Sequence, residues 1–202
     1  MNSKENLLVT LSKYINPEAA SIIAPWVIKY KVSLKISSPR KTKLGDYRAP
    51  FNEQGHRISI NSDLNQHSFL ITLIHEFAHL ATFVHAGPRV KAHGGEWKNW
   101  FKKLMFPFLE QQMFPEDVTI ALRVHFKNPP AASCTDERLQ KVLHRYNDRQ
   151  PTLVKDLPFN TPFILKSGKQ MIKLKLLRKR FLCKDIHSSR MYTVSGLMEI
   201  VE

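Results

Sequence analysis

Residues 71–97, ITLIHEFAHLATFVHAGPRVKAHGGEW, hold four histidines and two glutamates in a mostly apolar run. His75, Glu76 and His79 form an H-E-x-x-H unit. On a helix, positions i and i+4 share a face, so both imidazoles can reach one ion. Glu76, beside them, is then placed to act as a general base toward a water. Leu73, Ile74, Phe77, Ala78 and Leu80 mark the helix as a buried one. Unpaired polar rings are costly in such a place. A shared metal ion satisfies both rings; two hydrogen-bonded core histidines are the alternative.

A catalytic zinc takes a third protein ligand and keeps one position open. Two histidines compete for that role. His85 follows His79 by six residues, a spacing used by one class of zinc peptidases, but that class needs a glycine where Thr82 stands. If the helix runs on, His85 lies about 9 Å further along the axis and on another face. His93 lies beyond the Gly87-Pro88 break, which lets the chain return. Gly94 and Gly95 permit backbone conformations that other residues resist, and the helix after them can clamp the loop through Trp97 and Trp100. His93 is therefore the favoured third ligand, with His85 at the surface or behind the ligands. Glu96 is a further candidate, as a ligand or as a helix-start residue.

Outward from this stretch the pattern alternates between helix and strand. Asn16-Pro17 starts a helix reaching about Tyr30. Val32–Ile36 and His56–Asn61 alternate and read as strands, with a short strand around Tyr47 between them. Asp63 or Asn65 caps the long helix, which ends near Val84. A helix from about Glu96 carries Trp97, Trp100, Phe101 and Leu104 at core spacing. Helices follow over Glu116–Phe126 and Asp136–Tyr146. After about Gln150 the chain turns to β-type runs with turns at Ser167-Gly168 and Ser188-Ser189, as in an antiparallel sheet or barrel of four or five strands. The expected fold class is α+β. A mainly helical domain with a small sheet spans residues 1–150, and a small all-β module spans residues 151–202.

The 202 residues are 43% hydrophobic, enough for a globular core plus a small second module. The net charge of +14, from 31 basic and 17 acidic residues, favours a polyanionic partner, with nucleic acid the first candidate; a solvated surface is the plain alternative. Cys134 and Cys183 fit neither a disulfide framework nor a four-cysteine zinc site. The N-terminus reads as a short amphipathic helix and not as a signal peptide. No stretch reads as the roughly 20 apolar residues of a membrane span. These features together predict a soluble cytoplasmic protein with no membrane role.

With LITLIHEFAHLATF followed by HGGEWKNWF, the chain resembles the SprT-like metallopeptidases. The upstream LKI, RKTKLGDYR and ISIN segments match that family's run into its zinc helix, so the resemblance covers roughly Val32 to Phe126. It implies a minimal zincin-like domain, with His75, His79 and His93 holding Zn2+ and Glu76 as catalytic acid/base. The family includes Spartan, a DNA-dependent protease that degrades proteins crosslinked to DNA. The whole chain looks most like bacterial SprT-like domain proteins of about this length. Many family members carry a cysteine-rich zinc ribbon after the protease core. Only Cys183 lies in this tail, so no ribbon can form, and the β module stands in its place.

DNA contact would then fall to three basic groups. The first is Arg40, Lys41 and Lys43 with Arg48. The second is Lys98, Lys102 and Lys103. The third is Lys173 and Lys175, on the strand face opposite Ile172, Leu174 and Leu176. The second oxyanion donor is open between Tyr47 and Arg48. The His56–Asn61 strand, taken as a sheet edge, would hold an extended protein substrate by strand addition. Three functions remain: a zinc protease acting on DNA-associated or DNA-crosslinked proteins, a nucleic-acid-binding module with a structural zinc, and a zinc peptidase with no nucleic-acid role. The partners are correspondingly a protein substrate and DNA, single-stranded or crosslinked to protein.

Overall fold

Ser68 is where the long helix becomes committed. Its backbone N–H donates to the Asn65 side chain at 2.9 Å, which makes Asn65, and not Asp63, the N-cap of α3 (Gln66–Ala86). Asn65 also donates to the Leu143 carbonyl at 3.0 Å, tying the helix start to the end of α6 (Glu137–His144). Gly87, with φ +83°, ends α3, and its N–H returns to the Phe83 carbonyl. The structure is a computed structural model that describes residues 3–40, 42–127, 136–148, 152–178 and 180–201. Lys41 and Cys134 lie outside the described residues.

Two compact units, Met1–Tyr146 and Asn147–Glu202, make up an α+β chain. In the first, α1 (Ser3–Leu11) and α2 (Pro17–Lys29) precede a three-stranded sheet of β1 (Ser33–Ser37), β2 (Gly45–Arg48) and β3 (Arg57–Asn61). The helices α3, α4 (Gly95–Glu110), α5 (Glu116–His125) and α6 follow. α3 is the centre of the core: Phe69, Leu70, Ile71, Leu73, Ile74, Phe77, Ala78 and Leu80 are all buried. Each large apolar side chain among them contributes roughly 1.5–3 kcal/mol on burial. Trp26 meets Phe77 and Phe108 edge-on, at 5.5 and 5.9 Å, and so joins α2 to α3 and α4. By length and composition α3 does reach the threshold for a membrane crossing, but 72% of that window is buried inside the fold.

The strand order is β1-β3-β2, with β1 parallel and β2 antiparallel to β3. The segment His56–Asn61 therefore forms the central strand, not an edge. Ile58 and Ile60 are buried, and both sides of the strand are paired. The edge nearest α3 is β2. Asn61 N–H donates to the Leu44 carbonyl, which sets Asp46 and Arg48 as the bonded partners across from β3. Gly45 and Tyr47 consequently aim their backbone groups away from the sheet.

In the second unit a 3-10 turn, Val154–Asp156, precedes five antiparallel strands. These are β4 (Pro162–Leu165), β5 (Gln170–Leu176), β6 (Arg180–Asp185), β7 (Met191–Ser195) and β8 (Ile200–Val201), in the order β7-β6-β5-β4-β8. Gly168, at φ +88°, makes the β4–β5 turn. The Asp185 side chain accepts from the N–H groups of His187 and Ser188 to shape the β6–β7 turn. Val154, Phe163, Leu165, Met171, Phe181, Cys183 and Val194 form its core.

Candidate metal centre

One turn of α3 separates His75 from His79, and their Nε2 atoms lie 3.2 Å apart. The Nε2 of His93 lies 3.2 Å from that of His75. Two nitrogens bound tetrahedrally to one zinc at about 2.0–2.1 Å stand roughly 3.3 Å apart, so this spacing is that of a ligand set. The three residues are a cluster able to hold a metal ion.

Local chemistry explains how His93 gets there. It adopts a left-handed backbone, φ +59°, a conformation that costs a non-glycine residue about 1–2 kcal/mol. Gly94 is required for space and not for its own φ: a Cβ there would lie 2.9 Å from the Lys91 carbonyl, which accepts the Gly94 N–H. Gly95 opens α4 with open space around its Cα. Trp97, in the first turn of α4, packs its ring 4.7 Å from His75, 5.5 Å from His79 and 4.7 Å from His93. Its indole is thus the floor on which the three imidazoles rest.

His85 stays on α3, which runs unbroken past Thr82, and stacks on Trp100 at 4.6 Å. It lies outside the histidine cluster. Glu96 is exposed in the first turn of α4, a position that suits an acidic residue at a helix start.

Glu76 is 6% exposed. Its carboxyl faces β2, where a Cβ on Gly45 would sit 2.6 Å from Oε1, and the Tyr47 N–H donates to it. Burial, and secondarily the Asp46 charge, push its pKa up to about 8; the Tyr47 N–H, Arg40 and Lys43 pull the other way. Burial also drives the histidines toward the neutral form: His75 falls to about 3 and His79 to about 4, with neighbouring imidazoles adding to the shift. Neutral rings are the form that ligates a metal. Gly45 was not singled out in the sequence, although a glycine inside a strand signals close approach of another group.

Tyr47 and Arg48 are already engaged. The Tyr47 hydroxyl meets His56 Nδ1 at 2.9 Å, and the Arg48 guanidinium meets Asp46 at 2.8 Å. Of the basic residues, Arg40 braces the loop before β2. It donates to Asn61 Oδ1 at 2.8 Å, to Ser59 Oγ at 2.9 Å and to the Ser59 carbonyl at 3.2 Å. Lys43 pairs with Asp46 at 2.7 Å. Lys98 is half-buried on α4 and Lys102 is exposed there.

Lys173 corrects the expected strand face. It is 2% exposed, donates to the Lys155 and Leu157 carbonyls at 3.0 and 2.5 Å, and lies 4.1 Å from the Phe181 ring centroid. The Met171–Lys173 face is the packed one. A bulge between Lys173 and Lys175 then breaks the alternation and leaves Lys175 exposed. Lys173 cannot meet a phosphate.

Residues 24–119 match the sequence model of the SprT-like family, a span that contains all three histidines and Glu76. No curated protein and no solved structure matches the chain.

Proposed function

We propose that this SprT-like domain protein is a zinc-dependent metallopeptidase whose first unit is a minimal zincin-like domain. One observation carries the reading: three Nε2 atoms at metal-ligand spacing beside a buried carboxyl group. The donor set of three neutral imidazoles fits zinc. Bound by His75, His79 and His93, zinc would polarise a scissile carbonyl and acidify a water. Glu76 would take the proton from the attacking water and hand it to the leaving amine. Its raised pKa suits the second half of that task, because the protonated carboxyl is stable in its pocket. A structural zinc site has no use for such a group, which favours catalysis over a purely structural metal.

An extended peptide is the proposed substrate form. Gly45 and the Tyr47 carbonyl turn backbone groups away from β3 on the side where Glu76 lies, so strand addition along β2 would run a peptide past the general base. Such binding reads backbone, so the choice of target rests on where the enzyme is placed. Proteins associated with or crosslinked to DNA are the proposed targets, supported by the net charge of +14. Lys43, Lys98, Lys102 and Lys175 are the described residues proposed to meet phosphate.

The test is cleavage of a DNA-binding protein by the zinc-loaded chain, with and without single-stranded DNA, beside Glu76→Gln. Cleavage that requires DNA and disappears in the variant supports the whole reading. Cleavage indifferent to DNA keeps the peptidase and removes the DNA role. A variant as active as the wild type overturns Glu76 as the base.

A further inference from the structure

Behind the histidine cluster lies a second buried imidazole. The His125 side chain is 0% exposed, and its Nδ1 sits 2.8 Å from Asp136 Oδ2. The other oxygen of Asp136 caps α6, accepting the N–H groups of Arg138 and Leu139 at 3.1 Å each. An ionised carboxylate only accepts, so the proton of a neutral His125 ring resides on Nδ1 and the Nε2 keeps a lone pair. That Nε2 is buried and has no hydrogen-bond partner among the described residues.

His75 presents the complementary case. Its Nε2 faces the other two histidines. A neutral imidazole that ligates through Nε2 carries its proton on Nδ1. The His75 Nδ1 is likewise buried without a partner among the described residues. One ring thus offers an unpaired donor and the other an unpaired acceptor. The two share a neighbour: Phe101 lies 5.7 Å from His75 and 6.2 Å from His125, edge-on to both. Trp97, stacked on Phe101 at 5.0 Å, adds a second buried donor without a partner, Nε1. Two donors and one acceptor suit one buried water, which accepts twice and donates once.

We propose that Asp136 and His125 are positioning residues for His75, joined to its Nδ1 through one bridging water. Asp136 fixes the tautomer of His125, and His125 in turn fixes the tautomer and ring angle in which His75 offers its Nε2 lone pair to a metal. The inference rests on the zinc reading of the three histidines. Outer partners of metal-bound histidines commonly change metal affinity by about 10–100-fold when replaced.

Asp136→Asn is the discriminating variant. Asparagine caps a helix as well as aspartate, but its amide donates to His125 Nδ1 and moves the ring proton to Nε2. The bridging water would then meet three donors, from His75, Trp97 and His125, and it can accept from only two. The expected result is unchanged helicity and melting with zinc bound about 10–100-fold more weakly in chelator competition. His125→Asn, whose amide reaches Asp136 but not His75, should lose a similar factor. Imidazole nitrogen shifts of the zinc-loaded wild type should show His125 protonated at Nδ1. Wild-type zinc affinity in both folded variants would overturn the relay, leaving the pair as a strut between α5 and α6. A wild-type His125 protonated at Nε2 would overturn it without any variant. Failure of the underlying zinc reading looks different: the wild type would bind no zinc, or His75→Ala would bind it unchanged.

Discussion

Glu76→Gln should stabilise the metal-free protein while removing hydrolysis, and the gain should grow with pH. Glu76 is 6% exposed, and burial with the Asp46 charge lifts its pKa from 4.5 to about 8. Between those values the folded chain keeps a proton that the unfolded chain has released. Stability therefore falls as pH rises through that window and levels off above it. At 1.36 kcal/mol per unit, the wild type gives up about 2 kcal/mol near pH 6 and about 5 kcal/mol near pH 9. Glutamine does not titrate, and its Oε1 can still accept the Tyr47 N–H. Urea unfolding of chelator-stripped wild type and variant, followed by tryptophan fluorescence, reads the difference. The variant should gain about 3 kcal/mol on the wild type between the two pH values. A stability difference that stays constant with pH would refute the buried, proton-holding carboxyl and with it the proton-shuttle role built on it.

The same metal-free protein should also weaken in acid. His75 and His79 resist protonation in the fold, at about 3 and about 4, while the unfolded chain binds protons below about 6.5. Urea midpoints should therefore fall as pH drops from about 6.5 toward 4, and a flat profile would contradict the burial of the two rings. His93→Ala should abolish stoichiometric zinc binding in a dialysis assay and His85→Ala should not, since His85 stacks on Trp100; the reverse outcome would exchange their roles. Gly45→Ala places a methyl 2.6 Å from Glu76 Oε1 and 2.7 Å from Thr72 Cγ2. It should lower stability by about 1–3 kcal/mol and depress peptide cleavage, and wild-type values for both would count against the close contact. Lys173→Met leaves the Lys155 and Leu157 carbonyls without their donor. It should destabilise the chain by about 1–3 kcal/mol in thermal unfolding with no change in the salt slope of DNA affinity, and a shallower slope would restore Lys173 as a phosphate contact.

Short-range rules made much of this molecule legible from its residues. The apolar period of α3, its end at Gly87 and the i, i+4 placement of His75 and His79 all follow from backbone geometry within a few residues. The return of His93 was inferable because the Gly87-Pro88 break stands between it and α3 and two glycines follow it, although the left-handed residue is His93 itself. The switch to β structure after about residue 150 came from a change of period.

What the sequence could not reach depends on which segments meet. Which strand becomes an edge is a matter of long-range pairing, and β3 took the centre because strands on both sides found it. The inward face of β5 was set by its register with β6 and by one bulge, and a single-residue slip exchanges the faces of a strand. Arg40 looked free until Ser59 and Asn61 folded against it from about twenty positions away. Burial lifted Glu76 to a proton-holding pKa, and the helix packing that brought His125 and His75 against the same ring of Phe101 left no trace in local pattern. Desolvation and orphaned donors are properties of surroundings, and surroundings exist only once distant parts of the chain have packed.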